Sequence, residues 1–276
     1  MYDPDQVPPP DLSDASEWEA TGAHWRDARP HRLWRAHSDA VNRRLLDGWL
    51  PPQPVPRLLK TDLFDEAVSE GLLTPLRTRA RTLVGIDIAS TVASGASRRN
   101  PALHAVRADV RRLPFVDGAF DIVVSNSTLD HFAAVGDIVT SLRELARVLC
   151  PGGHLVLTLD NALNPMVALR NALPQRALRA IGLIPYAVGK TCGPRRLRRL
   201  VSDAGFEVAR VSAVMHCWRV AAVWAADLLE SSGPPRTRDA YLRLLLRFER
   251  LANSPLRFLT GHFIAIDAVK SESSPR

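Results

Sequence analysis

Five acidic or amide side chains close short apolar runs in the middle of this 276-residue chain. Asp62 ends RLLKTD, Asp87 ends TLVGID, Asp109 ends LHAVRAD, Asn126 ends FDIVVSN, and Asp160 follows GHLVLTL. An ionised carboxylate only accepts hydrogen bonds, so each acid suits hydroxyl or N–H donors, or a cation. Two neighbouring hydroxyls can share the two oxygens of one carboxylate. His131 stands five residues past Asn126. An unperturbed imidazole titrates near neutrality, so it can serve as a general base; in a helix's first turn it can equally well only pack.

Strands must deliver these side chains to one place. The runs at 57–62, 82–87, 103–109, 120–126 and 153–159 alternate with helical patterns near 64–72, 89–98 and 135–149. Strand then helix, repeated, is the pattern of a parallel sheet covered on both faces. Such sheets bind ligands beyond the carboxyl ends of their strands, where the five polar residues fall. Helical spacing of Trp18, Trp25, Leu33, Trp34, Val41, Leu45, Leu46 and Trp49 predicts two helices split by Pro30, the second over 31–50, before the PPQPVP break at 51–56. Beyond Asp160 the spacing predicts a helix from Pro194 to Gly205, strands at 206–215 and 262–270, and helices near 218–230 and 239–252.

Three segments together are specific. GIDIAST, then RADVRRLPFVDGAFDIVVSNSTLDHF, then LRELARVLCPGGHLVLTLDN resemble the class I S-adenosylmethionine-dependent methyltransferases, above all the small-molecule branch related to ubiquinone and menaquinone biosynthesis methylases. The strong match covers residues 83–161, and DAGFEV at 203–208 echoes a later step of that family. The resemblance implies a Rossmann-like α/β fold: a seven-stranded, mostly parallel sheet with helices on both faces, here with an N-terminal helical cap. It implies S-adenosyl-L-methionine as cofactor. Asp87, with Ile88 beside it, then meets the ribose, Asp109 the adenine amino group and the Val110 backbone a ring nitrogen. Asn126, Ser127 and Leu129 line the adenine and methionine portions. Two bland alternatives stand beside these roles: Asp87 capping the next helix, and Asp109 serving as a turn residue. Pro151, Gly152 and Gly153 read as a structural turn, with glycine supplying a positive φ.

One motif departs from the family. Its first strand is followed by a glycine-rich turn that lets backbone amides approach the cofactor's carboxylate. Here LLKTDLFDEAVSEG has no glycine between Lys60 and Gly71. Either Asp62 meets the cofactor's ammonium group while Lys60 or Thr61 takes its carboxylate, or the pocket is closed and the protein is a non-catalytic binding module. The intact ribose and adenine positions favour the first. The missing glycines also exclude a nicotinamide-binding fingerprint. SNSTLDHF stands where an amino-directed DNA methylase needs Asn/Asp-Pro-Pro-aromatic, which points to a small acceptor, and apolar residues such as Met166, Leu169 and Leu173 suit a hydrophobic one. His131 is the candidate base and Asp160 a candidate orienter of that acceptor, with Asn161 beside it.

Composition agrees with a folded domain: 46% of residues are hydrophobic. Residues 1–56 form a loose tail and helical cap in this reading, and 57–276 the methyltransferase domain, with 162–190 as a substrate-covering insertion. The net charge of +7 is uneven, because 161–276 hold 18 basic and 8 acidic side chains. Aromatics are not interleaved with the basic residues, so nucleic acid is not an expected partner. Arg170, Arg176 and Arg179 among apolar residues would suit an anionic acceptor or a membrane surface, or simply form a solvated helix face. Cys150, Cys192 and Cys217 match no metal or disulfide pattern and read as inert thiols in a reducing cytoplasm. No run is long and apolar enough to span a membrane.

Overall fold

The computed structural model describes residues 31–174 and 188–272, with Ser16, 18–20, Gly22 and Leu178. Its sheet holds β1 (Val55–Thr61), β2 (Ala80–Asp87), β3 (Leu103–Arg107), β4 (Phe120–Asn126), β5 (Leu149–Asp160), β6 (Phe206–Val214) and β7 (Phe263–Lys270) in the order β3-β2-β1-β4-β5-β7-β6. β1 to β5 are mutually parallel, and β7 lies antiparallel between β5 and β6. The seven-stranded α/β architecture is the expected one.

Alternation explains the two covered faces. In β1, Leu58 packs to one side and Leu59 to the other; in β4, Ile122 and Val124 oppose Val123. Successive strand side chains point oppositely, so a strand apolar throughout needs helices above and below. One face is covered by α5 (Val135–Val148), which buries Ile138, Leu142 and Leu145, and by α7 (Pro194–Asp203), which buries Leu197 and Val201. The other carries α1 (Arg32–Trp49), which contributes Val41, Leu45 and Leu46, and α4 (Ser90–Arg99), which contributes Val92 and Ala96. Burying each such Leu or Val is worth about 1.5–3 kcal/mol.

Several boundaries differ from the expected ones for local reasons. The helix read at 64–72 is two five-residue helices, α2 (Phe64–Val68) and α3 (Leu73–Arg77), broken at Gly71 with φ +52. β5 starts at Leu149, because Cys150 to Gly153 stay within the strand as an irregular stretch with Gly152 at φ +74. α6 (Pro165–Ala172) follows β5, capped by Asn164 Oδ1 accepting from the Met166 and Val167 N–H groups. α8 (Arg219–Ser232) and α9 (Pro235–Phe248) pack on α1, and α10 (Arg257–Thr260) leads into β7. Trp18, Trp34 and Trp49 pack against the core, while Trp25 and most of 175–187 lie outside the described residues.

Candidate active site

The parallel strands bring their carboxyl ends to one edge, and Asp62, Asp87, Asp109, Asn126 and Asp160 all lie there. Asp62 occupies the position after β1 with φ 67. The chain thus keeps a left-handed turn without glycine, through a residue type that tolerates that region better than most. Asp62 Oδ1 accepts the Phe64 N–H at 2.8 Å. Asp87 Oδ2 accepts the Leu63 N–H at 3.0 Å and its Oδ1 the Ala89 N–H at 2.9 Å. The capping alternative for Asp87 is therefore present, and its carboxylate also braces the β1 turn. A carboxylate oxygen takes more than one donor, so both retain acceptor capacity.

Burial pushes both carboxyls up, Asp87 to about 7, and the Asp62 charge adds to the rise at Asp87. The two half-buried acids present their free acceptor oxygens side by side at the strand edge. The Lys60 ammonium points inward to Glu66 Oε2 at 2.8 Å and to the Asp62 carbonyl, and both side chains are almost wholly buried. Thr61 Oγ1 is likewise engaged, with Ser125 and Thr128. Both side chains are thus engaged within the protein.

Beside this pair, Asp109 is clamped by Arg111 through its backbone N–H, Nε and Nη2 at 2.6–3.1 Å. Val110 is buried next to it, and Ile88 is half-buried after β2. Asn126 has both side-chain amide atoms buried without a hydrogen-bond partner. Buried polar atoms are rarely left so. Ser127 adopts φ 49, its N–H donating to the Thr158 carbonyl and hydroxyl, and Leu129 is fully buried in the following turn.

On the β4–β5 side, His131 lies near enough to Asp62 and Asp130 to lower both their pKa values, and the Trp18 ring meets it edge-on at 4.8 Å. Asp130, which the sequence analysis did not single out, is the hub of this side. Its Oδ2 accepts from Ser127 Oγ at 2.8 Å and from the Asp160 N–H at 3.2 Å, while Oδ1 is buried and unpartnered. Burial, then the Asp160 charge, raises it. Burial also pushes Asp160 up, but bonds from His262 and Arg170 outweigh it and hold that carboxyl below its usual range. Arg170 Nη2 is 2.5 Å from Asp160 Oδ2, His262 Nε2 is 3.4 Å from Oδ1, and Arg219 Nη1 is 3.2 Å from His262 Nε2. Arg170, which the sequence analysis singled out, lies ten residues past Asp160, whereas Arg219 and His262 join the site from distant sequence with no local signal.

The N-terminal cap reaches the same edge. Glu19 accepts from the Ser90 and Thr91 N–H groups and from Thr91 Oγ1 at the start of α4. Burial raises its carboxyl, yet these bonds prevail and bring it to about 2. The cysteines are free. Burial lifts the Cys192 thiol to about 11 and the Cys217 thiol to about 12, so both are unreactive near neutrality.

A nucleoside sulfonium fits this edge in part. The raised acids after β1 and β2, Asp109 and the unpartnered Asn126 amide are chemically matched to its hydroxyl, amino and cationic groups. In the turn at 62–64 the Leu63 and Phe64 amides already donate to Asp87 and Asp62, so neither is free for a carboxylate.

Residues 67–157 match the family model described as a methyltransferase domain. The chain is 32% identical to the demethylmenaquinone methyltransferase of Thermus thermophilus over 53% of this chain and 74% of that protein. It is 33% identical to the enzyme of the same name from Beutenbergia cavernae over 46% of each. Matches span about half the length of the first curated relatives. The geranyl diphosphate C-methyltransferase of Streptomyces coelicolor shares the fold, with a TM-score of 0.55 at 15% identity over 84% of this chain and 77% of that one. The shared fold and a 32% identical match that covers 74% of a demethylmenaquinone methyltransferase place the chain in the class I S-adenosylmethionine-dependent methyltransferase family.

Proposed function

We propose that this protein transfers the methyl group of S-adenosylmethionine to a small, largely apolar acceptor held beyond β4 and β5. The observation that carries the reading is the pair of raised carboxyls Asp62 and Asp87 on adjacent strand ends, with Asp109 and the unpartnered Asn126 amide on neighbouring ones. Asp87 accepts from the ribose hydroxyls, Asp109 from the adenine amino group, and Asp62 balances the ammonium group. Ile88, Val110, Ser127 and Leu129 shape the walls. When bound, S-adenosylmethionine supplies an activated methyl group for in-line displacement. The chain's part is to hold donor and acceptor in line and to exclude water. Trp18 covers His131, and His131 takes the proton of an acceptor hydroxyl; Asp160, fixed by Arg170, orients the acceptor.

The occupied Leu63 and Phe64 amides favour a second reading, a non-catalytic member of the family that binds a ligand or partner. Incubation with methyl-tritiated S-adenosylmethionine and a bacterial lipid-and-metabolite extract separates the two. Label in extractable small molecules, lost in Asp87→Ala and retained when nuclease is added, is expected. Cofactor binding without any transferred label would support the second reading.

A further inference from the structure

The acceptor side opens through a rim of exposed apolar side chains that the interior does not explain. Leu163, Met166 and Leu169 surround the start of α6, Leu256 and Leu259 flank α10, and Trp218 precedes α8 with 63% of its surface exposed. These three elements are tied together. Asn164 Nδ2 donates to the Thr260 and Gly261 carbonyls, Asn161 Nδ2 to those of Phe258 and Gly261, and His216 Nδ1 lies 2.8 Å from Thr260 Oγ1. Arg170 of α6 and Arg219 of α8 then meet at the Asp160–His262 pair. The apolar residues therefore form one rim around the acceptor cluster. It continues along α8, where Val220, Trp224 and Leu228 face solvent at four-residue spacing, Trp224 at 67% exposure, while small Ala222 and Ala226 face inward. A helix that buries alanines and exposes tryptophan has its larger apolar face unpartnered.

The charge beside the rim selects the partner. A groove of about 690 Å³ between α1, β6 and α9 is lined by Arg44, Arg243, Arg247 and Arg250 over Trp49 and Leu246. Among the described residues none of these arginines forms an ion pair. The one carboxylate in the groove, Glu249, is taken by the Met215 and His216 N–H groups. At the rim itself Asp160 is neutralised by Arg170. A surface of this sign repels a second copy of itself and attracts an anionic surface, while exposed tryptophans settle at the boundary between water and hydrocarbon.

We propose that this rim docks on anionic membrane lipid, so that the acceptor reaches the Asp160 side from the bilayer. The inference rests on the methyltransferase reading for what is delivered, not for the docking itself. Co-sedimentation of the full chain with phosphatidylcholine vesicles, with and without phosphatidylglycerol, tests it. Binding to the phosphatidylglycerol vesicles is expected, at least tenfold weaker to phosphatidylcholine alone and weakened by salt. Trp218→Ser/Trp224→Ser and, separately, Arg247→Glu/Arg250→Glu should each reduce it at least fivefold, with unchanged thermal unfolding and unchanged S-adenosylhomocysteine binding. Absence of binding to the anionic vesicles, or equal binding by the Trp218/Trp224 variant, overturns the proposal. So does self-association in sedimentation velocity that this variant abolishes, because the rim would then be an interface between copies. Cofactor titration on the same preparation keeps the two readings apart: docking without cofactor binding would leave the lipid surface standing and remove the methyltransferase.

Discussion

Asp62 and Asp87 carry opposite demands. Desolvation raises both, the Asp62 charge adds to the rise at Asp87, and yet the proposed ligand needs Asp87 ionised to accept two hydroxyls. In the ligand-free protein Asp87 holds its proton to about pH 7, against 3.8 for a free side chain. Its raised value favours the folded state fully only at low pH, and that contribution is lost as pH rises through 7. Cofactor binding has the opposite slope, because donors select the ionised form. S-adenosylhomocysteine affinity is expected to improve several-fold from pH 6 to 8, and to lose that dependence in Asp87→Asn; calorimetry at the two pH values reads it. Asp62→Asn keeps an acceptor for the Phe64 N–H and a side chain suited to φ 67. It is expected to fold normally, to lower the Asp87 pKa, and to weaken cofactor binding about tenfold, the effect of about 1.4 kcal/mol. At this scale the sequence was informative where a polar residue ended a strand. It was silent on Asp130, whose importance comes from contacts with Ser127 and the Asp160 backbone, and on Asn126's lack of partners.

The elements explain how a turn without glycine can stand. Lys60 and Glu66 form a buried ion pair across it, Glu66 Oε1 accepts the Leu72 N–H, and a Cβ at Gly71 would strike that same carboxylate. Leu63 closes the other side over Gly85, where any side chain would collide with it. Removing one member of a buried pair leaves an uncompensated charge and costs about 3–5 kcal/mol, whereas replacing both with apolar groups is far milder. Lys60→Met is therefore expected to lose about 3 kcal/mol in chemical denaturation, and Lys60→Met/Glu66→Leu less than either single change; additive losses would refute the pairing. The strands and long helices were legible because their apolar periods are strong. The split into α2 and α3 was not, because it depends on Glu66 reaching across to Leu72. Gly189 was equally hidden: its N–H donates to the Asp130 carbonyl, and a Cβ there would strike the backbone at 130–132.

At the scale of the molecule, the sheet gathers residues from 62 to 160 onto one edge, while α6, α8 and α10 surround the acceptor side with apolar and basic surface. The excess charge of the last 116 residues was visible in the sequence, but its meaning required seeing which arginines lack carboxylates. The N-terminal segment closes the edge through Glu19 on α4 and Trp18 on His131. Trp18→Ala is expected to leave cofactor affinity within threefold while lowering methyl transfer at least tenfold, measured with the labelled extract assay. Calorimetric titration with S-adenosylhomocysteine tests the central claim most directly. Micromolar one-to-one binding, weakened at least tenfold by Asp87→Ala and by Asp109→Ala in folded variants, is the expected result; no heat at high micromolar ligand, or binding indifferent to both substitutions, would contradict it.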